Sequence, residues 1–431
     1  MEIIVGKKLP FKEDIKKIHQ RWKFWETSVR VDEDYIFDKD ALGNPIIKRF
    51  HCEEQRNYKE RLVRSSPRNL ISNILNQYNG AIFRESPERD ERIMEFASNA
   101  DARGSSLSSI ERDALTRAMI YGISPILIES QTGGRLSLAQ AREAGETTRV
   151  ISVDPWSLVN WEIRDGFLLT ILISFVDEEG NYFARLYDDT TITDVFYDDK
   201  QMVTSVGETI PHGFSQIPVV LVDLNITNFS FVQPLAQIQM SINNILSLLR
   251  QEEYTQTFTR WVLSGIDSFA NMTNEERQNI TLQWGSNDLI VLPEQVKVDR
   301  LGADVTQSDS LRKSIETETE ELNKTAGLVD QSVSKEASGE ARKLAQSQFK
   351  ITASIFSNAI ESAENMILQL LGEETGIEYN KTFFPKSFEE EDFSQEIMQL
   401  RDILSLDFGD KNESIKRSAV DAFETKFFLE D

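Results

Sequence analysis

The sequence predicts an α+β fold in which an antiparallel sheet region lies between two groups of helices. Five short runs rich in β-branched and aromatic residues fall within residues 149–222, and turns containing Asp, Asn or Gly separate them. On both sides of this region, apolar residues recur at helical spacing. With 431 residues, of which 40% are hydrophobic, the chain has room for about three domains and a sizeable core.

Three helix-start signals precede the sheet region, namely Ser66-Pro67, Ser86-Pro87 and the capping-box pair Ser108 and Glu111. An apolar stripe follows the first signal and consists of Leu70, Ile71, Ile74, Leu75 and Tyr78. Gly122 ends the third helix, and residues 125–128 continue as a short strand. The strands predicted within the sheet region are residues 150–153, 166–176, 182–187, 191–197 and 217–222.

Helices return after the sheet, and the first of them has an unusual polar face. Its apolar residues from Leu235 to Leu249 lie on one side, and the other side carries Gln237, Gln239, Asn243, Asn244 and Ser247. A polar but uncharged face is uncommon on a free surface helix and indicates an inter-subunit or channel-facing side. The next predicted elements are an amphipathic stretch from Phe258 to Gly265, a helix from Thr273 to Leu282, a strand pair at 289–292 and 296–301, and a helix ended by Gly327.

The longest predicted helix covers Ala337 to Leu371, which contains no proline. Its apolar positions at helical spacing are Leu344, Ile351, Ile355, Ala359, Ala363, Met366 and Leu370. At ~1.5 Å per residue such a helix extends ~50 Å, which exceeds the width of a small domain. A loop at 383–385, an acidic run at 389–392 and two short helices at 397–404 and 415–423 complete the chain.

Composition excludes several classes of protein. The single cysteine, Cys52, excludes an internal disulfide framework, and no stretch reaches the ~20 apolar residues of a membrane span. Lys7 and Lys8 follow a brief apolar start, which reverses the order of a secretory signal, so we expect a protein that is neither exported nor membrane-bound. A net charge of −24 is incompatible with tight DNA binding over the whole surface. Residues 1–70 carry net +4 and residues 373–431 carry net −9.

No constellation predicts catalysis, a cofactor site or a metal site. The chain lacks a Walker loop and a dinucleotide-binding motif, and its histidines (His19, His51, His212) have no partner at ligand spacing. Cys52 beside His51 lacks a supporting acid, and the pairs Asp188-Asp189 and Asp198-Asp199 occupy turn positions. Arg21–Trp25 interleaves basic and aromatic residues, which fits a base-stacking platform or, preferably, an amphipathic segment docked on a neighbour.

The order of these elements resembles that of the portal (head–tail connector) proteins of tailed double-stranded DNA phages. The residues that carry the resemblance are the early helical run from Arg64 to Pro87, Val153-Asp154-Pro155-Trp156 with Asn160-Trp161, Ile217-Pro218, the helix from Pro234, and the loop 327–336 before the long helix containing Glu340-Ala341. The resemblance covers roughly residues 60–372. It implies a ring, usually a dodecamer, at one capsid vertex, through which DNA is packaged and ejected.

The resemblance also implies a role for each part of the chain: an N-terminal arm (1–60), an α/β wing lobe (61–232), a helical stem with a short clip (233–285), wing strands with a tunnel loop and the long wing helix (286–372), and an acidic, helical crown-like end (373–431). The implied tunnel-loop residues are Gly327, Gln331, Ser334 and Lys335, and the implied clip residues are Gly265, Asp267 and Phe269. The expected partners are further copies of the chain, double-stranded DNA without sequence specificity, the terminase large subunit, a head–tail adaptor, and the major capsid or scaffold protein. No cofactor is expected, and the expected location is the virion, after assembly in the host cytoplasm.

The charge of the chain agrees with such a role on physical grounds. Each phosphate that a protein neutralises adds a salt-dependent contact, and several such contacts would stall DNA that must slide. An acidic subunit with few local cations, here Lys335, Arg342 and Lys343, avoids this. Two alternatives stay open: another structural phage protein, such as an adaptor or capsid subunit, and a metal-dependent enzyme acting on DNA.

Overall fold

A computed structural model describes most of the chain. The described residues are 2–51, 53–129, 148–164, 167–177, 179–224, 230–257, 260–264, 297–301, 305–328 and 339–386, together with residues 273, 388, 416 and 417. The chain divides into two compact units, Met1–Phe384 and Pro385–Asp431. Nearly all described residues belong to the first unit, and the account below concerns that unit.

Five helices precede the sheet region and three follow it in the described part of the chain. The first group is α1 (Ile15–Arg30), α2 (Gln55–Arg64), α3 (Ile71–Ile82), α4 (Met94–Ser98) and α5 (Leu107–Tyr121). The second group is α6 (Val232–Thr257), α7 (Val305–Thr325) and α8 (Gly339–Thr375). The strands are β1 (Ile123–Glu129), β2 (Arg149–Ser152), β3 (Leu158–Arg164), β4 (Phe167–Val176), β5 (Tyr182–Tyr187), β6 (Thr191–Tyr197), β7 (Val203–Pro211), β8 (Val219–Asp223), β9 (Arg260–Ser264) and β10 (Lys297–Leu301). The predicted α+β class is confirmed.

Every strand pair in the described residues is antiparallel. Strands β3 to β7 form a five-stranded sheet in sequence order, β2-β1-β8 form a three-stranded sheet, and β9 pairs with β10. One face of the larger sheet is covered by the N-terminal segment, whose Leu9 packs against Leu172, Ala184 and Val195. The five predicted strands are confirmed, but β3 and β7 were not predicted as strands. β7 has a largely exposed, polar sequence that lacks the alternation of a half-buried strand.

Two of the helical segments before the sheet start later than the sequence signals predict. Helix α3 begins at Ile71, because Asn69 caps it by accepting the backbone N–H of Ser72 at 3.1 Å, and Ser66-Pro67 is extended chain. After Ser86-Pro87 the first helical turn is a 3₁₀ turn at Glu91–Ile93, capped by Asp90. The apolar stripe of α3 is buried as predicted, and Gly122 ends α5 as predicted.

The second helical group contains one wrong prediction and two confirmed ones. Helix α6 ends at Thr257, and the stretch predicted as amphipathic helix contains strand β9, in which Trp261 pairs with Arg300 of β10. Trp, Val and Leu favour strands as well as apolar helix faces, so the short run was ambiguous. The helix before Gly327 (α7) and the long helix (α8, 37 residues, about 55 Å) are confirmed.

The buried face of α8 includes Ala363 and Leu370 of the predicted stripe but otherwise differs from it. The side chains of Phe356, Ile360, Ile367 and Leu371 also belong to the buried face, whereas the predicted stripe residues Ile351, Ile355 and Met366 are exposed. After α8 a return segment, residues 377–384, runs back along the helix, and Thr382 exchanges two hydrogen bonds with the side chain of Asn365. Gly372 permits this close approach, because a Cβ there would lie 2.7 Å from the carbonyl oxygen of Ile377. Within the described residues, no helix combines the length and apolar character that crossing a bilayer requires.

Candidate functional site

Apart from Gln237, which is exposed, the residues of the polar face of α6 are bound within their own chain. Gln239 is fully buried: its Nε2 donates to the carbonyl of Ser28 at 2.6 Å, and its Oε1 accepts the backbone N–H groups of Leu70 at 2.8 Å and Ile71 at 3.1 Å. These two N–H groups begin helix α3, where no intrahelical acceptor exists for them. The side chain of Gln239 therefore completes the start of α3 and joins three segments distant in sequence.

Three further residues of the same face bind the N-terminal segment. Asn243 accepts the N–H of Arg68 at 2.8 Å, and Asn244 accepts that of Lys48 at 2.8 Å. Ser247 Oγ accepts Nη1 of Arg61 at 2.6 Å. The interpretation of this face as inter-subunit or channel-facing is therefore wrong for all four residues. Amide and hydroxyl side chains were selected here because they satisfy buried backbone groups without burying a charge.

Arg61 also contributes to the contact between α6 and the N-terminal segment. Its side chain is 1% exposed and is paired with Glu53 through Nε at 2.8 Å and Nη2 at 2.8 Å. The hydrogen bonds from Arg61 lower the pKa of the Glu53 carboxyl, so the pair stays ionised near neutral pH. Residues 28–70 are consequently bound along α6 by a continuous series of hydrogen bonds.

The helix junction is the place where α7 ends and α8 packs beside it. We use this name for Tyr78, Phe231, Gly327, Phe349 and Phe356. Gly327 has φ +71°, its N–H donates to the carbonyl of Lys324 at 3.0 Å, and the hydroxyl of Tyr78 donates to the carbonyl of Ala326 at 2.6 Å. A Cβ at Gly327 would lie 3.2 Å from the Tyr78 hydroxyl and 3.4 Å from the backbone of α8. Only glycine fits this left-handed, closely packed position.

Aromatic contacts fix the two helices at this junction. The ring centroid of Tyr78 lies 4.7 Å from that of Phe349, 5.2 Å from that of Phe356 and 5.4 Å from that of Phe231. Burial raises the pKa of Tyr78 to about 12, so its hydroxyl remains a neutral donor at every physiological pH. The end of α7 and the early part of α8 are therefore held on one residue of α3, and residues 329–338 connect them.

Of the predicted site residues, the structure describes one. Gly327 lies at the helix junction, as stated above. The other tunnel-loop residues (Gln331, Ser334, Lys335) and the clip residues (Gly265, Asp267, Phe269) lie outside the described residues. The predicted helix from Thr273 and the first predicted strand at 289–292 lie outside them too, apart from Thr273 itself.

A buried charge cluster that the sequence did not indicate joins α5, α8 and the return segment. Arg89 donates from Nε and Nη2 to Glu364 at 2.7 and 2.9 Å, from Nη2 to Glu111 at 2.9 Å, and from Nη1 to Ser108 at 2.8 Å. The hydroxyl of Thr382 donates to Glu364 at 2.9 Å. The predicted capping box of Ser108 and Glu111 is wrong, because Ser106 caps α5 and these two side chains bind Arg89.

Two carboxylates and one guanidinium meet in this buried charge cluster. Glu111 and Glu364 are both 0% exposed. Burial, followed by the negative charge of Glu364, raises the pKa of Glu111 well above its usual range. A protonated Glu111 makes the cluster neutral, which is the state that a desolvated group of this kind favours.

The candidate chemical residues occupy structural positions. His19 lies against Trp22 and Trp156 at 5.6 and 5.0 Å between ring centroids, and burial lowers its pKa. Asp188 and Asp198 each accept backbone N–H groups within their turns, as predicted. The described residues contain no group of three or more His, Cys, Asp or Glu side chains suited to a metal ion.

The aromatic residues of the segment Arg21–Trp25 are unavailable to nucleic acid. Trp22 is 3% exposed, Phe24 2% and Trp25 5%, and Nε1 of Trp22 donates to the carbonyl of Tyr121 at 3.0 Å. Both interpretations of this segment are therefore wrong, since its rings pack inside their own chain, with Trp22 bound to the end of α5.

Comparison with known proteins yields structural neighbours only. No family model matches the sequence, and no curated protein matches it. The fold is similar to a chain in the neck of an empty gene transfer agent (GTA) particle computed with C6 symmetry, with 9% identity and a TM-score of 0.46 over 79% of this chain and 87% of that chain.

Two further neighbours come from native particles. One is a chain of the neck of a native GTA particle computed with C12 symmetry (7% identity, TM-score 0.43, 80% of this chain and 88% of that one). The other is a chain of the virion of a native GTA particle (8% identity, TM-score 0.38, 80% and 88%). The likeness is distant in all three cases.

Proposed function

We propose that this chain is the subunit of a portal, a ring at one capsid vertex through which double-stranded DNA passes during packaging and ejection. The observation that carries the proposal is the helix junction. The end of α7 and the part of α8 around Phe349 both contact Tyr78 of the α+β body, so the chain between Gly327 and Phe349 is anchored at both ends. A rigidly anchored connection of this kind is what the tunnel loop of a portal requires if it is to hold its position around moving DNA.

The proposed division of the chain follows the resemblance. Residues 61–232 and 286–372 form the wing with the tunnel loop and long helix, 233–285 form the stem and clip, 1–60 the arm, and 373–431 the crown-like end. The proposed loop residues are Gln331, Ser334 and Lys335 beside Gly327, and the proposed clip residues are Gly265, Asp267 and Phe269. Terminase large subunit, a head–tail adaptor and capsid or scaffold protein are the proposed partners, and twelve copies the proposed ring.

The charge of the chain supports a conduit rather than a DNA clamp. Exposed carboxylates of Glu316, Glu320 and Glu321 lie on α7, and the whole chain carries −24. A polyanion near such a surface gains few phosphate contacts and therefore slides with little salt-dependent resistance. Any DNA contact is then confined to a few cations, of which Lys335 is the proposed one on the loop.

Particle mass and shape test the proposal first. For the purified full chain, mass photometry should give a particle of twelve times 49.3 kDa, about 590 kDa, and negative-stain images should show an annulus with a central hole. A monomer of 49.3 kDa at every concentration would refute the proposal. A monomer that cleaves DNA when Mg²⁺ is added would support the enzyme alternative instead.

The Lys335→Glu variant tests the tunnel-loop assignment. We expect unchanged rings and reduced DNA packaging in a reconstituted packaging assay, because the variant replaces the proposed loop cation with a like charge to DNA. Lys313→Glu is the matched control, since Lys313 is exposed on α7 and the same charge change there should leave packaging intact. Loss of ring assembly in Lys335→Glu alone would instead place Lys335 in an interface between subunits.

A further inference from the structure

The exposed side of α8 carries a long stripe without charge. This uncharged stripe consists of Ile351, Ile355, Asn358, Ser362, Met366 and Gln369, all of which are exposed. Their spacing of three and four residues places them on one helix face over 19 residues, about 27 Å. None of the six positions carries a charge, whereas 27% of the residues of the chain do.

The apolar side chains of the stripe are largely exposed to solvent. Ile351 is 61% exposed, Ile355 41% and Met366 42%. On the opposite side of the same helix, Phe356, Ile360 and Ile367 are fully buried against the body. Within the described residues, helix α8 thus has one buried apolar face and one exposed, uncharged face that carries three apolar side chains.

We infer that the uncharged stripe of α8 packs against a second copy of this chain, as the centre of the contact between neighbouring subunits. The inference rests on the proposed ring and names the surface that closes it. Two copies that each carry −24 repel one another wherever charged surfaces meet, so a neutral stripe is where they can approach at least electrostatic cost. The centres of protein interfaces are depleted of charge and enriched in Met, as this stripe is.

Other occupants fit the stripe less well. DNA is held through Lys and Arg contacts to phosphate, and the stripe contains neither residue. A lipid surface selects a wide apolar face flanked by basic residues, whereas three of the six stripe positions are Asn, Ser and Gln. In a closed ring the contact is heterologous, so the stripe of one copy meets a different surface of the next.

The stripe is too small to form the whole contact between two subunits. A helix face about 27 Å long and about 10 Å wide is smaller than the ~800 Å² that each partner buries in a stable interface. The stripe therefore supplies the apolar centre, and flanking polar surface supplies the rim. Truncation or charging of such a centre weakens association far more than a change at the rim.

The test compares charge placed on the stripe with charge placed elsewhere. Ile351→Glu with Ile355→Glu should raise the concentration of half-assembly at least tenfold, measured by mass photometry of the full chain, and Ile355→Ala should shift it less. Leu42→Glu and Val63→Glu are the controls, because Leu42 and Val63 are 86% and 81% exposed on other elements. Unchanged circular dichroism will show that the stripe variants fold. Stripe variants that assemble at the same concentration as the controls would overturn the inference.

A second measurement tests directly whether the stripe of one copy lies next to another copy. A photo-crosslinking amino acid at Asn358 should yield covalent dimers of the full chain, whereas the same group at Leu42 should not. Cross-links confined to a single chain in an intact ring would overturn the inference and leave the proposed portal standing. A wild-type protein that never assembles would overturn both, so the two failures are distinguishable.

Discussion

Replacement of Arg89 by Met should destabilise the subunit by about 3–5 kcal/mol, the usual cost of removing one partner from a buried ion pair. Arg89 is 9% exposed and supplies four hydrogen bonds to Glu364, Glu111 and Ser108. Without it, Glu364 is left fully buried with the hydroxyl of Thr382 as its remaining donor in the cluster. Met keeps the apolar stem of Arg, so the effect reports the loss of the guanidinium and not the loss of the stem.

The assay is urea unfolding of the full chain at one fixed protein concentration, followed by circular dichroism. Arg56→Met is the matched control, because Arg56 is 85% exposed and its pair with Glu60 is an ordinary surface ion pair worth at most about 0.5 kcal/mol. The double variant Arg89→Met with Glu364→Gln should recover part of the loss, since no uncompensated carboxylate then remains. A loss below about 1 kcal/mol in Arg89→Met would refute the assignment of this cluster as a structural tie.

The same cluster has a defined pH signature. Because folding raises the pKa of Glu111, the folded chain holds this proton more tightly than the unfolded chain. Its contribution to stability is therefore complete below the unfolded pKa, about 4.3, and is lost as pH rises through the folded pKa. Glu111→Gln mimics the protonated acid and should match wild type at low pH and become the more stable of the two as pH rises. A constant difference between them across the pH range would contradict a protonated Glu111.

Two predictions concern the helix contacts. Gln239→Ala should cost about 2–4 kcal/mol in urea unfolding, because it leaves buried N–H groups of α3 without an acceptor, and exposed Gln237→Ala should cost under about 0.5 kcal/mol. Gly327→Ala should cost more than Gly43→Ala in the same assay. Both glycines have positive φ, but a Cβ at Gly43 meets nothing within 4 Å, whereas one at Gly327 meets the Tyr78 hydroxyl and α8. Equal losses of unfolding free energy in the two variants would show that the helix junction accommodates a Cβ at Gly327 without strain.

Local patterns predicted the helices and strands well where periodicity was long. Most of α8, the buried stripe of α3 and seven of the described strands followed from spacing and turn residues alone. Strand β7 was not predicted, because most of its side chains are exposed and its sequence lacks alternation of apolar and polar residues. Helix starts were misplaced where another local side chain caps the helix, as Asn69, Asp90 and Ser106 do, and Gln239 adds a distant acceptor at the start of α3.

Pairing between distant residues limited what could be predicted of the site. Arg89, Glu111 and Glu364 are separated by up to 275 residues, and nothing in the spacing of either glutamate distinguishes it from a surface residue. The local sequence around Glu111 fits a capping box, and only the fold shows that Glu111 instead accepts a hydrogen bond from Arg89. Gly327 was located correctly, since a helix end and its glycine are local features.

The faces of α6 and α8 show why periodicity alone cannot assign a surface to a partner. Both helices have a second face without charge. The α6 face consists of amide side chains and a serine, and the α8 face consists of Ile and Met together with Asn, Ser and Gln. On α6 the amides are matched one by one to backbone groups of residues 28–70, so that face is already occupied. On α8, no described residue buries the side chains of Ile351, Ile355 and Met366, which remain exposed. Exposure of apolar side chains to water is energetically unfavourable. The difference between the faces is the presence of a partner within the described chain, and this difference is the basis of our inference that a neighbouring copy contacts α8.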